Sequence, residues 1–187
     1  MNNLLLILFL GLGIKLSAQV NLVPNPSFED FNICPDNSGQ IANCFGWYSP
    51  TTGTPDYYNT CSPNIFSAIP TNTQGFQNPH TGNAYSGIGV MSTPSDFREY
   101  LQCNLTSELL PQKYYCISYY VSVNENYINY FIKNIDCYFS NIAINDFINF
   151  YPVLNYTPQF TNSQIITDSI AWTKVEGLYL AQEERSI

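Results

Sequence analysis

Tyr114-Tyr115-Cys116-Ile117-Ser118-Tyr119-Tyr120-Val121-Ser122-Val123 decides the fold class. Tyr115, Ile117, Tyr119, Val121 and Val123 alternate with Tyr114, Cys116, Ser118, Tyr120 and Ser122. Side chains of a strand point to opposite faces in turn, so a period of two predicts a half-buried strand. The first set wants the core. The second is a half-polar outer face carrying two tyrosines. Aromatic and β-branched residues also suit a pleated, half-buried surface. Leu109-Leu110-Pro111-Gln112-Lys113 makes the turn before it.

Outward from this strand the same pattern recurs at short spacing. Residues 84–90, 98–105, 136–144 and 171–180 read as further strands. In 98–105, Glu99, Leu101, Cys103 and Leu105 share the core-facing phase, and Arg98, Tyr100, Gln102 and Asn104 the other. Residues 147–160 are aromatic but broken by Pro152 and Pro158, which predicts a long loop with short β pieces. Residues 21–80 hold eight prolines among many Asn, Ser, Thr and Gly, a composition of turns. No helix of more than about two turns is convincing, and no repeat is visible. Many short strands joined by Gly/Pro turns predict an all-β sandwich or barrel.

The N-terminus reads as an address. Leu4 to Ile14 is an apolar run of 11 residues, too short to span about 30 Å of hydrocarbon as a helix. With Leu16-Ser17-Ala18 as a small-residue cleavage site before Gln19, residues 1–18 are expected to be a signal peptide and 19–187 a single domain. No second long apolar run follows, so the mature chain is not expected to span a membrane. That mature part holds five basic residues against fourteen acidic ones. So few cations cannot displace many counterions from a phosphate backbone, which argues against nucleic acid as a partner. Only 11% of residues are charged while 16% are aromatic, which favours a stacking, hydrogen-bonding surface.

Cys34, Cys44, Cys61, Cys103, Cys116 and Cys137 all lie beyond the signal. An even number of cysteines in a secreted chain predicts disulfides. Cys34 and Cys61 are expected to pair. They flank the loop-rich segment around Trp47, where few ladder hydrogen bonds would hold the chain, and closing that loop is worth roughly 3–4 kcal/mol. Cys44 lies between them as a competitor. No C-x-x-C occurs, and a single His80 does not make a Cys/His zinc site.

Asn21-Leu22-Val23-Pro24-Asn25-Pro26-Ser27-Phe28-Glu29 resembles the opening of jelly-roll carbohydrate-binding modules with the galactose-binding-like fold. More closely, the chain resembles a module on secreted surface proteins of gliding, type IX-secreting bacteria, often found ahead of an OmpA-like or C-terminal sorting domain. The matching pieces run in order through Cys34-Pro35, Gly46-Trp47, Thr54-Pro55-Asp56-Tyr57-Tyr58-Asn59-Thr60-Cys61 and Gly75-Phe76-Gln77. Gly82-Asn83-Ala84-Tyr85-Ser86-Gly87-Ile88, Arg98-Glu99-Tyr100-Leu101, the Tyr115 to Ser122 strand, and Trp172 with Val175, Gly177 and Tyr179 complete the set. The resemblance implies a jelly-roll sandwich. Such modules usually continue through a Gly-Gly-Glu turn into a Tyr- and Asp-rich strand, where this chain has Gln182-Glu183-Glu184 and three more residues. The expectation is therefore a sandwich lacking its last one or two strands, with a downstream domain as a further partner. The resemblance also implies a structural calcium with Glu29 as a ligand; the other reading of Glu29 is a surface or capping carboxylate.

The candidate ligand-binding residues are aromatic and amide side chains. Trp47 reads either as a sugar-stacking platform or as a packed loop residue; Trp172 reads as packing. Tyr114, Tyr120, Tyr100 and Gln102 share non-core faces, and together would form a sugar platform if their strands were neighbours. Otherwise they are exposed β-formers. Asp56, Asp96, Glu99 and Glu125 show no spacing that pairs two acids for glycoside hydrolysis. Glu99, in the buried phase, reads as a structural tether, and His80 as a solvated loop residue. The expectation is a secreted, extracellular or outer-surface protein: a non-catalytic binding or adhesion module for carbohydrate or cell-envelope glycan. The alternatives are a structural or interaction module without a sugar ligand and, less favoured, a glycoside hydrolase.

Overall fold

In the computed structural model, which describes residues 20–90, 97–127, 131–148 and 153–187, the 114–123 alternation becomes a real strand. It runs from Tyr114 to Val121 and lies antiparallel to Thr173–Leu180 over its whole length. The expected signal, residues 1–18, lies outside the described residues. In chain order the strands are β1 (Trp47–Tyr48), β2 (Asp56–Asn59), β3 (Thr71–Asn72), β4 (Gly75–Phe76), β5 (Ala84–Gly87), β6 (Gln102–Cys103), β7 (Tyr114–Val121) and β8 (Thr173–Leu180). They form four antiparallel pairs, β1–β6, β2–β5, β3–β4 and β7–β8. The helical content among the described residues is two single 3-10 turns, Ile41–Asn43 and Glu125–Tyr127. The protein is all-β, built from small antiparallel sheets.

The expected strand 84–90 ends at Gly87 and 171–180 begins at Thr173, while 98–105 and 136–144 are cut much further. In 98–105 only Gln102–Cys103 is ladder, because the backbone bonds of this stretch go to different neighbours. Glu99 N–H bonds Gly89 O, β6 bonds β1, and Leu105 N–H bonds Ser186 O. In 136–144 a single bridge, Cys137 to Phe160, survives. There the Gln159 side chain takes the place of a partner strand: Phe139 N–H donates to Oε1 and Nε2 donates to Phe139 O.

The core is divided into three apolar clusters. The first gathers Ile41, Cys44, Tyr57 and Ala84, with Phe28, Trp47 and Leu101 against it. The second gathers Val123, Phe160, Ile166 and Val175 under Tyr119 and Val121. The third joins Leu109, Tyr179 and Ala181 to Tyr115, Leu22 and Leu105. Ile117 and Phe139 touch both the second and the third. The inner face of β7 is thus the phase read from sequence, and its outer face leaves Tyr114 70% and Tyr120 40% exposed.

Cys34 and Cys61 form the expected disulfide, with an S–S distance of 2.04 Å. Cys44 does not compete: it is buried, accepts a hydrogen bond from Asn25 Nδ2 at 3.2 Å, and lies 3.6 Å from Asp30 O. Burial pushes its thiol up to about 12. Residues beyond β8 return to the body, where Arg185 bridges Leu109 and Ile187 bonds Ser140. No helix among the described residues is long and apolar enough to cross a membrane.

Candidate functional site

The Asn25-Pro26-Ser27-Phe28 opening folds into a tight turn that positions Trp47. Asn25 and Phe28 both take positive φ, 43° and 61°, and Phe28 N–H closes the turn on Asn25 O. The Asn25 amide donates to Asp30 O at 2.8 Å and Phe45 O at 2.9 Å, and its Oδ1 accepts Asp30 N–H at 3.0 Å. Its backbone carbonyl accepts the Trp47 indole N–H at 3.0 Å, and the Phe28 ring sits 4.9 Å from the Trp47 ring. Gly46, at φ 83°, supplies the left-handed step that precedes β1, a conformation open to glycine at little cost.

β1 therefore presents Trp47 and Tyr48 in one fixed pose, locked by pairing with Cys103 and Gln102. Tyr48 donates its hydroxyl to Asn104 Oδ1 at 2.8 Å. Two clefts open beside Tyr48, and both are lined by Tyr48 and Ala42. The smaller, about 380 Å³, is lined by Trp47, Tyr48 and Phe45 rings with Asn32 and Asn104 amides, and Cys44 lies among them. The larger, about 680 Å³, is lined by Ile41, Ile144 and Phe147, with Thr51, Thr52 and Asn145 among its polar groups. No Asp, Glu, Lys, Arg or His lines either cleft among the described residues.

Buried polar groups hold the walls of the larger cleft. Gln102, expected on an exposed face, is instead only 7% exposed, because the 143–146 segment covers it. Its amide accepts from Ile144 N–H at 3.2 Å and donates to Ile144 O at 3.4 Å. It positions a wall and does not present itself to solvent. Glu99 accepts Thr54 N–H at 2.9 Å and Gly89 N–H at 2.6 Å, tying the 51–54 wall to the 89 loop. Asp56 accepts Gly39 N–H at 2.6 Å and the Tyr58 hydroxyl at 2.9 Å. Burial raises both carboxyls above their ordinary range, and the charge of Asp56 adds to the rise at Glu99.

The other expected residues do not converge. Tyr114 and Tyr120 share the outer face of β7 but stand at opposite ends of it, about 20 Å apart by strand rise. Tyr100 is half-buried, its hydroxyl accepting Leu154 N–H at 3.0 Å. Tyr120 is stacked by His80 at 3.6 Å, and His80 meets Trp172 edge-on at 6.4 Å. Trp172 in turn meets Tyr85 at 5.7 Å and donates its indole N–H to Asn78 O at 2.8 Å. This aromatic ledge fastens the 78–80 turn to β7 and β8. Sequence reasoning missed it, because a lone His in a turn carries no sign of the ring it will meet.

Glu29 is a clamp. Its Oε1 accepts Asn83 N–H at 2.7 Å and its Oε2 accepts Asn83 Nδ2 at 3.1 Å. A Cβ at Gly82, φ 65°, would lie 2.3 Å from that carboxylate. Among the described residues no group of three or more His, Cys, Asp or Glu side chains is gathered to hold a metal ion, at Glu29 or elsewhere. Calcium takes about 6–8 oxygens, several of them carboxylate, so the donor set around Glu29 does not fit that ion. Glu125 is a second clamp, accepting Phe76 N–H at 2.8 Å. In comparisons with known proteins, no family model, curated protein or solved structure matches this chain.

Proposed function

We propose that this chain is a secreted, non-catalytic glycan-binding module that works at the outer cell surface, and that its small sheets belong to a jelly-roll sandwich of the galactose-binding-like kind. One observation carries the reading. In a chain of net charge −8, the clefts beside Trp47 and Tyr48 are lined by rings, amides, hydroxyls and small or aliphatic groups, with no charged side chain among the described residues. Sugar faces pack on aromatic rings through their C–H surfaces, and sugar hydroxyls need a few fixed neutral partners. The preformed pose of Trp47 supports this, since a ring already held by Asn25 and Phe28 is not ordered at the moment of binding. The disulfide fits an oxidising, extracellular compartment. The buried acids support the absence of catalysis: Glu99 spends its oxygens on loop donors, and Asp56 on Gly39 N–H and the Tyr58 hydroxyl.

The test is array screening of the purified protein against neutral and acidic glycans, repeated with Asn104→Ala. The expected result is binding to neutral glycans, weakened in the variant. Silence across every neutral glycan overturns the reading. A second reading, a module that docks a neighbouring domain, draws on the outer face of β7–β8, where Tyr114 is 70% and Leu178 67% exposed. An array without hits would favour it.

A further inference from the structure

The two clefts share two residues. Tyr48 and Ala42 line both, and the Tyr48 phenol is fixed by its bond to Asn104 and by the β1–β6 pairing. The clefts therefore adjoin at Tyr48 and Ala42, where one ligand can reach both. The two cavities differ in chemistry. The smaller offers three rings and two amides, which suits the face of one sugar ring with its hydroxyls. The larger offers Ile41, Ala143, Ile144 and Phe147 beside threonine hydroxyls and Asn145. Such a lining suits a sugar that bears a methyl group beside polar atoms. Neither lining carries a cation for a carboxylate or sulfate, and the chain's negative charge disfavours acidic polymers at a distance.

Resting on the glycan-binding reading above, we infer that the clefts are adjoining subsites for one uncharged oligosaccharide, which crosses over Tyr48 and places a methyl-bearing unit, N-acetylated or 6-deoxy, in the larger cleft. The ligand is longer than a single sugar, and specificity resides in the larger cleft. Gln102 and Glu99 are its positioning residues, because they hold the 144 and 54 walls from behind.

Calorimetry with a graded series tests this. The probes are N-acetylglucosamine oligomers of one to four units, a fucosylated trisaccharide, cellotetraose and polygalacturonate. Two variants report on the two clefts separately, and each changes an exposed residue whose loss leaves the core intact. They are Asn32→Ala in the smaller cleft and Phe147→Ala, 55% exposed, in the larger. The expected result is affinity that rises with length for a methyl-bearing probe, by about tenfold or more from one unit to three. Both variants should weaken the longer probe by about tenfold, and the single methyl-bearing unit should lose more affinity in Phe147→Ala than in Asn32→Ala. Cellotetraose and polygalacturonate should bind more weakly than the methyl-bearing probes. If neutral sugars bind but Phe147→Ala changes nothing, or length changes nothing, the glycan reading stands and the two-subsite inference falls. Equal binding of cellotetraose removes the methyl preference, and equal binding of polygalacturonate removes the preference for uncharged chains. Failure of every sugar to bind overturns the reading beneath it.

Discussion

Glu99 fastens two loops with one carboxylate, accepting from Thr54 N–H, Thr54 Oγ1 and Gly89 N–H while only 8% exposed. Glu99→Ala strands these donors and should cost about 2–4 kcal/mol in a urea melt. The pH dependence follows from the direction of its shift. Its carboxyl is raised above the ordinary 4.5 chiefly by burial, so between 4.5 and the folded value the native state holds more protons than the unfolded one. Stability from this group is therefore complete below 4.5 and is lost as pH rises through the folded value. Wild type minus Glu99→Ala, followed by urea melts from pH 4 to 7, should shrink with rising pH. The tyrosine pair gives a second residue-scale prediction. Tyr119 hydrogen-bonds Ile135 O and meets Phe160 edge-on at 6.4 Å, while Tyr120 is 40% exposed. Tyr119→Ser should lose about 3–5 kcal/mol and Tyr120→Ser far less, with equal losses in melting temperature refuting the difference. Tyr119 and Glu99 were legible from alternation phase. Gln102 was not, because the chain that buries it comes from some 40 residues away and leaves no trace in local pattern.

β7 and β8 are the elements that the sequence announces most clearly, since eight alternating residues outlast any turn signal. The four two-residue strands cannot be read that way: two residues have no period. Much of the remaining scaffold is held by side chains standing in for strands, such as Gln159 on Phe139 and Glu125 on Phe76. An amide or carboxylate that will do this looks like any loop residue in sequence. β8 also has a tight point that its pattern hides. At Gly177 an added Cβ would come within 2.5 Å of the Phe160 ring. Gly177→Ala should therefore destabilise by about 1–3 kcal/mol through overpacking. Gly177→Ala combined with Phe160→Leu should recover part of that loss, measured as melting temperature.

At the scale of the molecule the three clusters matter more than any one sheet. The first, with Tyr57 and Ile41, belongs to the cleft-bearing part, and Ile41, Cys44 and Tyr57 fall within the loop closed by the only disulfide among the described residues. The others share Ile117 and Phe139 and lie under β7–β8. Opening the 27-residue span between Cys34 and Cys61 should cost about 3–4 kcal/mol. Hydrogen exchange after mild reduction should show faster uptake in residues 25–89 and little change in 114–121 and 173–180. Uniform acceleration would mean that the clusters unfold together. All-β content and the bridge were legible from composition, turns and cysteine position. The cleft was half legible: Trp47 stood out, but Tyr48 and the two cavities depend on packing that no local pattern encodes.

β7 and β8 stand far apart in the chain. Tyr114 pairs with Leu180 and Val121 with Thr173, so the longest ladder waits for some fifty intervening residues. On a chain delivered from its N-terminus, β7 emerges well before β8 can pair with it. For that interval an apolar edge stands open to other nascent chains. The ladder must also form by a long-range encounter, which makes its closure slow. The protein should therefore be most open to aggregation in the interval between the making of β7 and that of β8.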